Sequence, residues 1–473
     1  MLIRVTVLLL ISLLLVKTSA RPLGRNQYAA ASALASEEES TPSSSSLCGE
    51  QLVKETGSLN GLYYIFYESS SSTAASKVPV ILWLSGGPGC SGLVGDLFEL
   101  GPCVFDDETG GIAYNPHSWT SLAHVIFIDQ PRGTGFSDPD TDNFWTHQDS
   151  SQDMAGFLQQ FFLKHSDLAS HDFYIFGESY GGHFVPDLAQ YLLKADTERW
   201  TLQLKGIGIG NGLASPKTLI DSFVEFAETN AYDRDLLGAN RDELLRYASL
   251  FANASVQCVR TTDEGERRSL RANSAAQFCN DAVSWYEEFN SLSIRSVYSG
   301  GWNGYDMRRK CHFDDRIGLC YRFSRLEDFV NQDTVLEYFG VPTQRWTLCT
   351  MQMAERLSKW DILEESESGV AYLLDHGVRV LVFGGDADTV VNWKSQDKWT
   401  QQLEWSHHDA FSTAPMNQFS WNGGSLGEIR TAHGLSFMKV YHAGHMVPRD
   451  QPQVTHEMVR SFLYDDAATG IFS

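Results

Sequence analysis

Short apolar runs recur along the chain at residues 78–84, 125–128, 173–176, 204–209, 378–383 and 437–441. Each is rich in Val, Ile and Phe and bounded by Gly or Pro. Such short continuous runs predict strands buried on both faces, as in a mostly parallel sheet. Helical stretches lie between several of them, for example 183–194. The alternation predicts an α/β fold with helices on both faces of the sheet. A Ser-rich patch at 69–72 reads as the tip of a hairpin joining 62–67 to 78–84. From 216 to 348 the pattern changes to charged, helix-like sequence holding Cys258, Cys279, Cys311 and Cys320. This segment is expected to be an inserted cap between two parts of one core, 48–215 and 349–473. Open α/β sheets bind ligands at their strand ends, so a cap there would shape a substrate site. No internal repeat is evident.

The first residues predict the compartment. Arg4 precedes the apolar run 5–16, and Lys17-Thr18-Ser19-Ala20 supplies a small-residue cleavage site. Residues 1–20 therefore read as a secretory signal peptide, too short for a comfortable membrane span. Residues 21–47, rich in Ala, Ser and Glu, read as a disordered lead or a propeptide. No later segment is apolar and long enough to anchor the chain in a membrane. The expected destination is the secretory pathway, ending in a lysosome or vacuole or outside the cell. Eight cysteines fit disulfides in an oxidising compartment. Asp and Glu number 59 against 36 Lys and Arg, a formal charge of −23. That charge disfavours nucleic acid and anionic membranes as partners, and its simplest role is solubility.

Three motifs follow strand-like runs in a fixed order: Gly177-Glu178-Ser179-Tyr180-Gly181, Gly384-Gly385-Asp386-Ala387-Asp388 and Ala443-Gly444-His445-Met446-Val447-Pro448. They supply Ser, Asp and His in the chain order of an α/β-hydrolase triad. A lone G-x-S-x-G is weak evidence, but this one joins a strand (173–176) to a helix, the context that a nucleophile elbow needs. Ser179 would be exposed at a helix N-terminus, where developing negative charge is favoured. A serine hydroxyl needs a base to take its proton, and His445 is the candidate. A third group must hold the imidazole in the right tautomer. Asp386 and Asp388 both follow strand 378–383, and one of them is expected to be structural. His433 and His442 read as packing or surface residues. The run 78–84 leads into Ser85-Gly86-Gly87-Pro88-Gly89-Cys90-Ser91, where paired glycines allow close backbone approach to a substrate. Gly87 and Tyr180 are the expected oxyanion-hole donors, through their backbone N–H groups.

Taken together, these residues resemble the serine carboxypeptidases, of the carboxypeptidase Y and cathepsin A type. The resemblance rests on Trp83-Leu84-Ser85-Gly86-Gly87-Pro88-Gly89-Cys90-Ser91, on Phe127-Ile128-Asp129-Gln130-Pro131 with Gly133-Thr134-Gly135-Phe136-Ser137, and on the elbow through Pro186. Ile209-Gly210-Asn211-Gly212-Leu213, Tyr305-Asp306-Met307-Arg308, Leu319-Cys320-Tyr321 and the stretch 443–452 also fit, so the likeness spans about residues 50–465. It implies an α/β-hydrolase fold with an inserted, partly helical cap. It implies removal of single amino acids from peptide and protein C-termini. It selects Asp388 as the triad acid. It implies that Trp83, Ser85, Gly86 and Glu178 read the substrate carboxylate, with Glu99 behind Glu178. Facing an anionic substrate end, Glu178 should be tolerated only when a proton is shared, so hydrolysis is expected to be best at acid pH. Met446 would contact the departing residue, with Val391 near the same pocket. An apolar, adaptable Met favours hydrophobic leaving residues.

The chain also departs from the family pattern. Ser85 stands where Asn is usual, which should weaken carboxylate binding or route it through water. The usual G-E-S-Y-A-G is Gly-Glu-Ser-Tyr-Gly-Gly here. Arg132 replaces a small or apolar residue and is expected to alter a subsite. Val391 replaces the Cys of carboxypeptidase Y. The resemblance implies the disulfides Cys90–Cys349 and Cys311–Cys320. Cys258 and Cys279 are expected to join within the cap, and Cys48 with Cys103 is the pair left over. Asn253-Ala254-Ser255 is the single glycosylation sequon. No metal or other cofactor is expected: there is no H-E-x-x-H helix, and His407-His408 reads as a surface pair. A homodimer is left open. Three rival readings are weaker. Acyltransferases of this fold usually carry Asp at the Glu178 position. A non-catalytic secreted scaffold would not need an intact Ser179, Asp388, His445 and glycine loop. A generic esterase has no use for Glu178 or the Trp83 motif.

Overall fold

A computed structural model of the chain describes residues 46–49, 54–70, 77–139, 145–195, 202–261, 274–350, 353, 355, 357, 360–421 and 424–464. The signal-peptide and lead segments, apart from 46 and 47, lie outside them. In chain order the strands are β1 (Lys54–Leu59), β2 (Leu62–Tyr67), β3 (Val80–Leu84), β4 (Cys103–Phe105), β5 (Ile112–Tyr114), β6 (His124–Ile128), β7 (Asp172–Glu178), β8 (Gln203–Gly210), β9 (Trp302–Asn303), β10 (Asp306–Lys310), β11 (Arg379–Gly385), β12 (Asn417–Trp421), β13 (Gly424–Ala432) and β14 (Leu435–Val440). Ten of them form one sheet in the order β1-β2-β6-β3-β7-β8-β11-β14-β13-β12. The six central strands, β6 to β14 in that order, run parallel. Antiparallel strands close both sides.

The period-2 geometry of a strand divides these apolar runs between two faces. Leu82, Leu84, Ile175, Ile207, Ile209, Val380 and Val382 belong to one cluster. It includes Phe157 and Phe161 of α1 (His147–Lys164) and Phe184 and Leu188 of α2 (Gly181–Lys194). Ile81, Trp83, Tyr174, Phe176, Leu381 and Phe383 belong to the other, with Met458 and Phe462 of the helix Pro452–Tyr464. Because both faces are covered, these strands could not carry alternating polar residues.

One expected pairing is wrong. β2 and β3 are not a hairpin: β2 pairs with β1 and β6, and β3 lies between β6 and β7. Every residue of β2 and of β3 is buried. Each needs neighbours on both edges, and the equally apolar β6 inserts between them.

The segment 216–348 holds α3 (Pro216–Glu228), α4 (Arg241–Thr261), α5 (Ser274–Ser299), the β9–β10 hairpin and the helices Phe323–Val330 and Asp333–Tyr338. It feeds side chains into the same two clusters: Phe223, Phe251 and Tyr286 into the first, Leu326, Val330 and Leu336 into the second. Four disulfides are present: Cys48–Cys103, Cys90–Cys349, Cys258–Cys279 between α4 and α5, and Cys311–Cys320 beyond β10. Asn253 is exposed on α4. Among the described residues no helix is long and apolar enough to cross a membrane.

Candidate active site

Parallel register brings the C-terminal ends of β3, β7, β8, β11 and β14 to one edge: Leu84 pairs with Gly177, Glu178 with Gly210, Phe383 with Gly210 and Gly385 with Val440. The segments carrying Ser85, Ser179, Asn211, Asp388 and His445 all leave the sheet there.

Ser179 stands between β7 and α2 with φ at +61°, a conformation costly for an L-residue. The turn is pinned by Ser179 N–H donating to Gly210 O (3.1 Å), and by Leu213 and Gly182 N–H donating to Ser179 O (2.8 and 2.9 Å). A Cβ on Gly177 would lie 2.7 Å from Leu84 O, so the residue entering the turn must be glycine.

His445 is buried, and its Nδ1 lies 2.7 Å from Asp388 Oδ2. The same Oδ2 accepts from Asn211 Nδ2 at 2.7 Å and from Val391 N–H at 3.2 Å, and Oδ1 accepts from Val390 N–H at 2.8 Å. Asp386 is engaged elsewhere, accepting from the Tyr232 hydroxyl at 2.7 Å. The His445 loop is held from the 216–348 segment. His445 N–H donates to Tyr305 O at 2.7 Å, and the Tyr305 ring stands edge-on to the imidazole with centroids 5.0 Å apart. Asp450 accepts from Gly444 N–H (2.7 Å) and from Arg308 Nη2 (2.8 Å).

The Gly86 backbone lies against the elbow: a Cβ there would sit 2.6 Å from both Ser179 Cβ and Tyr180 N. Gly87 follows at φ +113°. The Cys90–Cys349 disulfide and the Ser91 N–H bond to Leu348 O (2.9 Å) hold this loop from the other side. Trp83 is fully buried, and its indole N–H donates to Ser85 Oγ at 3.3 Å. Glu178 and Glu99 are both buried and share a hydrogen bond. Glu99 comes from a wide helical turn, Gly95–Leu100, whose residues are all buried. Burial raises the pKa of Glu178, and the charge and hydrogen bond of Glu99 raise it further. Burial likewise raises Glu99. Two carboxyls in one dry site hold a proton between them.

Met446 and Val391 are both buried, in different apolar clusters. The Val391 backbone is engaged with Asp388 and Asn211. The Arg132 guanidinium forks onto Asp153 of α1 at 2.9 and 3.3 Å. A cavity of about 430 Å³ lies behind the His445 loop, lined by Asp306, Arg308, Arg309, Arg449 and Asp450. It includes none of Ser179, Asp388 and His445.

Sequence alone assigned no role to Asn211, Tyr305, Arg308 or Asp450, although all stand in quoted motifs. His147, Asp187 and Glu364 gave no signal. His147 Nδ1 lies 3.0 Å from Glu364 Oε2 and 3.2 Å from Asp187 Oδ2. These three atoms are of metal-ligand type and lie within 4.8 Å of one another. Their spacing here is that of an ion pair.

A family model described as serine carboxypeptidase matches residues 51–465. Serine carboxypeptidase-like 48 of Arabidopsis thaliana is 32% identical over 413 residues, covering 86% of this chain and 76% of the relative. Serine carboxypeptidase S10 family member 1 of Dictyostelium discoideum is 33% identical over 421 residues, covering 88% and 94%. Among solved structures, a prohormone-processing carboxypeptidase from Saccharomyces cerevisiae superposes with a TM-score of 0.68 at 25% identity, covering 85% of this chain and 87% of that one. A parallel sheet that gathers an elbow serine, an aspartate and a histidine at one edge, matched over nearly its whole length by these relatives, has the α/β-hydrolase fold, and the chain belongs to the serine carboxypeptidase family of enzymes.

Proposed function

We propose that the protein releases single amino acids from the C-termini of peptides, works best at acid pH and prefers hydrophobic leaving residues. The observation that carries this reading is the buried Glu178–Glu99 pair directly beside Ser179. A hydrolase without a carboxylate to recognise has no need of two protonatable carboxyls there.

Ser179 Oγ attacks the carbonyl carbon of the last peptide bond while His445 Nε2 takes its proton. Asp388 holds the Nδ1–H and stabilises the imidazolium. The oxyanion is met by the N–H groups of Gly87 and Tyr180. His445 then gives its proton to the leaving amine, the C–N bond breaks, and water hydrolyses the acyl-enzyme by the same steps in reverse. The free carboxylate of the leaving residue is read by the Ser85 hydroxyl, the Gly86 N–H and protonated Glu178. Trp83 orients Ser85 and Glu99 shares the proton. Met446 and Val391 line the pocket for the leaving side chain. The disulfides suit a secretory compartment, and an acidic lysosome or vacuole would match the pH preference.

The test is release of leucine from benzyloxycarbonyl-Phe-Leu across pH 4–8, with the amidated peptide and Ser179→Ala as controls. Acid-favoured release, absent in the variant and poor on the amide, supports the reading. No release at any pH, even after residues 21–47 are removed, would reject it.

A further inference from the structure

Tyr180 supplies more than a backbone N–H. Its side chain is 2% exposed and enters a buried cage formed by His147, His183 and Phe184, with ring centroids 5.5, 4.8 and 5.1 Å away. Its hydroxyl lies 2.9 Å from His147 Nε2. His147 opens α1, where Thr146 and Asp149 form a capping box, and its own N–H donates to Asp361 Oδ2 at 3.0 Å. Its Nδ1 faces two carboxylates, Glu364 at 3.0 Å and Asp187 of α2 at 3.2 Å. Three separate elements, α1, α2 and the 361–364 turn, therefore converge on the residue after Ser179.

The protonation of this cage follows from its composition. Burial alone would push the His147 pKa down, but the hydrogen bonds and charges of Asp187 and Glu364 outweigh it and hold the pKa up at about 10. His183, buried beside it and bonded through Nδ1 to Ser366 Oγ at 3.0 Å, is pushed down by burial and by the His147 charge. The cage thus holds one cation. An imidazolium has two donors and no acceptor, so Nε2–H donates to the Tyr180 oxygen. Buried ion pairs often add little to stability over well-packed apolar residues. Placing one behind the elbow makes sense if it determines geometry.

We propose that His147 is a positioning residue for the oxyanion hole. Its hydrogen bond to the Tyr180 hydroxyl fixes the Tyr180 ring and, through it, the backbone N–H that meets the substrate carbonyl. This rests on the hydrolase reading of Ser179 and Tyr180 above. The hydroxyl then has a defined role: without it, the Tyr180 side chain is held only by ring packing. Oxyanion donors act by being in place before the charge develops, so loosening one should raise the barrier without weakening substrate binding.

The experiment is a double-mutant cycle with Tyr180→Phe, His147→Phe and the pair, using benzyloxycarbonyl-Phe-Leu as substrate and benzyloxycarbonyl-phenylalaninal as a mimic of the tetrahedral adduct. Tyr180→Phe leaves His147 and its carboxylates intact, so it separates positioning from loss of the fold. Each single variant should lose about tenfold or more in kcat and a similar factor in aldehyde affinity, with KM within about twofold. The pair should be no worse than the more damaging single change. Folded variants with unchanged kcat and aldehyde affinity, losses that multiply in the pair, or a loss confined to KM would overturn the proposal. Hydrolysis surviving in Ser179→Ala would instead overturn the reading beneath it.

Discussion

Asn211 Nδ2 and His445 Nδ1 each lie 2.7 Å from the same oxygen, Asp388 Oδ2. Asn211 sits at φ +38° in the turn after β8, and its own Oδ1 accepts from Gly385 N–H at 3.1 Å. It therefore ties the acid to the strand that carries it, and the Asp388 carboxylate cannot swing away from the imidazole.

Asn211→Ala should lower kcat about tenfold to a hundredfold, because a small misplacement of the orienting carboxylate is costly. Losing a buried hydrogen bond to a charged group should also remove about 1.5–3 kcal/mol of stability. Asn211→Gly loses the same bonds but tolerates the positive φ, so it should be more stable than the Ala variant by about 1 kcal/mol. Urea unfolding of both, beside single-turnover rates, tests this. Equal stability of the two would mean that the turn carries no strain.

The two aspartates after β11 should separate cleanly. Asp388→Asn leaves the geometry but disturbs the histidine tautomer, a change that costs a serine triad about four orders of magnitude in kcat. Tyr232→Phe breaks, and Asp386→Asn weakens by removing the charge, the tether between the α3–α4 loop and the sheet. They should keep kcat within about threefold and lose about 1 kcal/mol. Comparable kcat losses in Asp386→Asn and Asp388→Asn would reassign the orienting acid.

What the sequence disclosed follows from where each interaction lies along the chain. Strands β3, β7, β8 and β11 were legible because burial on both faces leaves an unmistakable apolar run. β1, reading Lys-Glu-Thr-Gly-Ser-Leu, was not: it is a sheet edge, and most of its residues are only partly buried. β12, the opposite edge, and β13 beside it escaped because few of their residues are buried. The false β2–β3 hairpin arose because the true partner, β6, lies some sixty residues downstream of β2, beyond any local signal. Ser179, Asp388 and His445 announce themselves through fixed neighbours. His147 sits in Trp-Thr-His-Gln-Asp with nothing to distinguish it, and its partner Glu364 lies 217 positions further along the chain.

Gly86→Ala should inactivate the enzyme while adding only one methyl group. That methyl would lie 2.6 Å from Ser179 Cβ and Tyr180 N and 2.7 Å from Glu178 O. These are largely backbone atoms of a turn pinned from both sides, so no flexible side chain can relieve the clash. Either the Gly86 loop or the elbow must move, and one oxyanion donor is lost. A drop of about 10²–10³ in kcat is expected, with correspondingly slow labelling of Ser179 by a fluorophosphonate. Normal labelling would show that the two segments do not share the oxyanion.

The Glu178–Glu99 pair makes a prediction about pH with a definite sign. Burial raises both carboxyls, and the charge and hydrogen bond of Glu99 raise Glu178 further, so the folded enzyme holds a proton more tightly than the unfolded chain does. Stability from this source is complete below the ordinary glutamate value of about 4.3 and is lost as pH rises through the folded pKa. Activity on peptides should follow the same course, because an ionised pair repels the substrate carboxylate. Once the shared proton is gone, kcat/KM should fall by up to about tenfold per pH unit. Glu178→Gln stays neutral and can still donate a hydrogen bond. It should hold its peptide kcat/KM to neutral pH and flatten the dependence of Tm on pH. Glu99→Gln should flatten both in part, since one carboxyl alone remains raised by burial. An amidated peptide, having no carboxylate to repel, should escape the alkaline loss in the wild type. Measuring kcat/KM and Tm for the three enzymes from pH 4 to 8 decides the matter. An unchanged acid preference in Glu178→Gln would place the titrating group elsewhere.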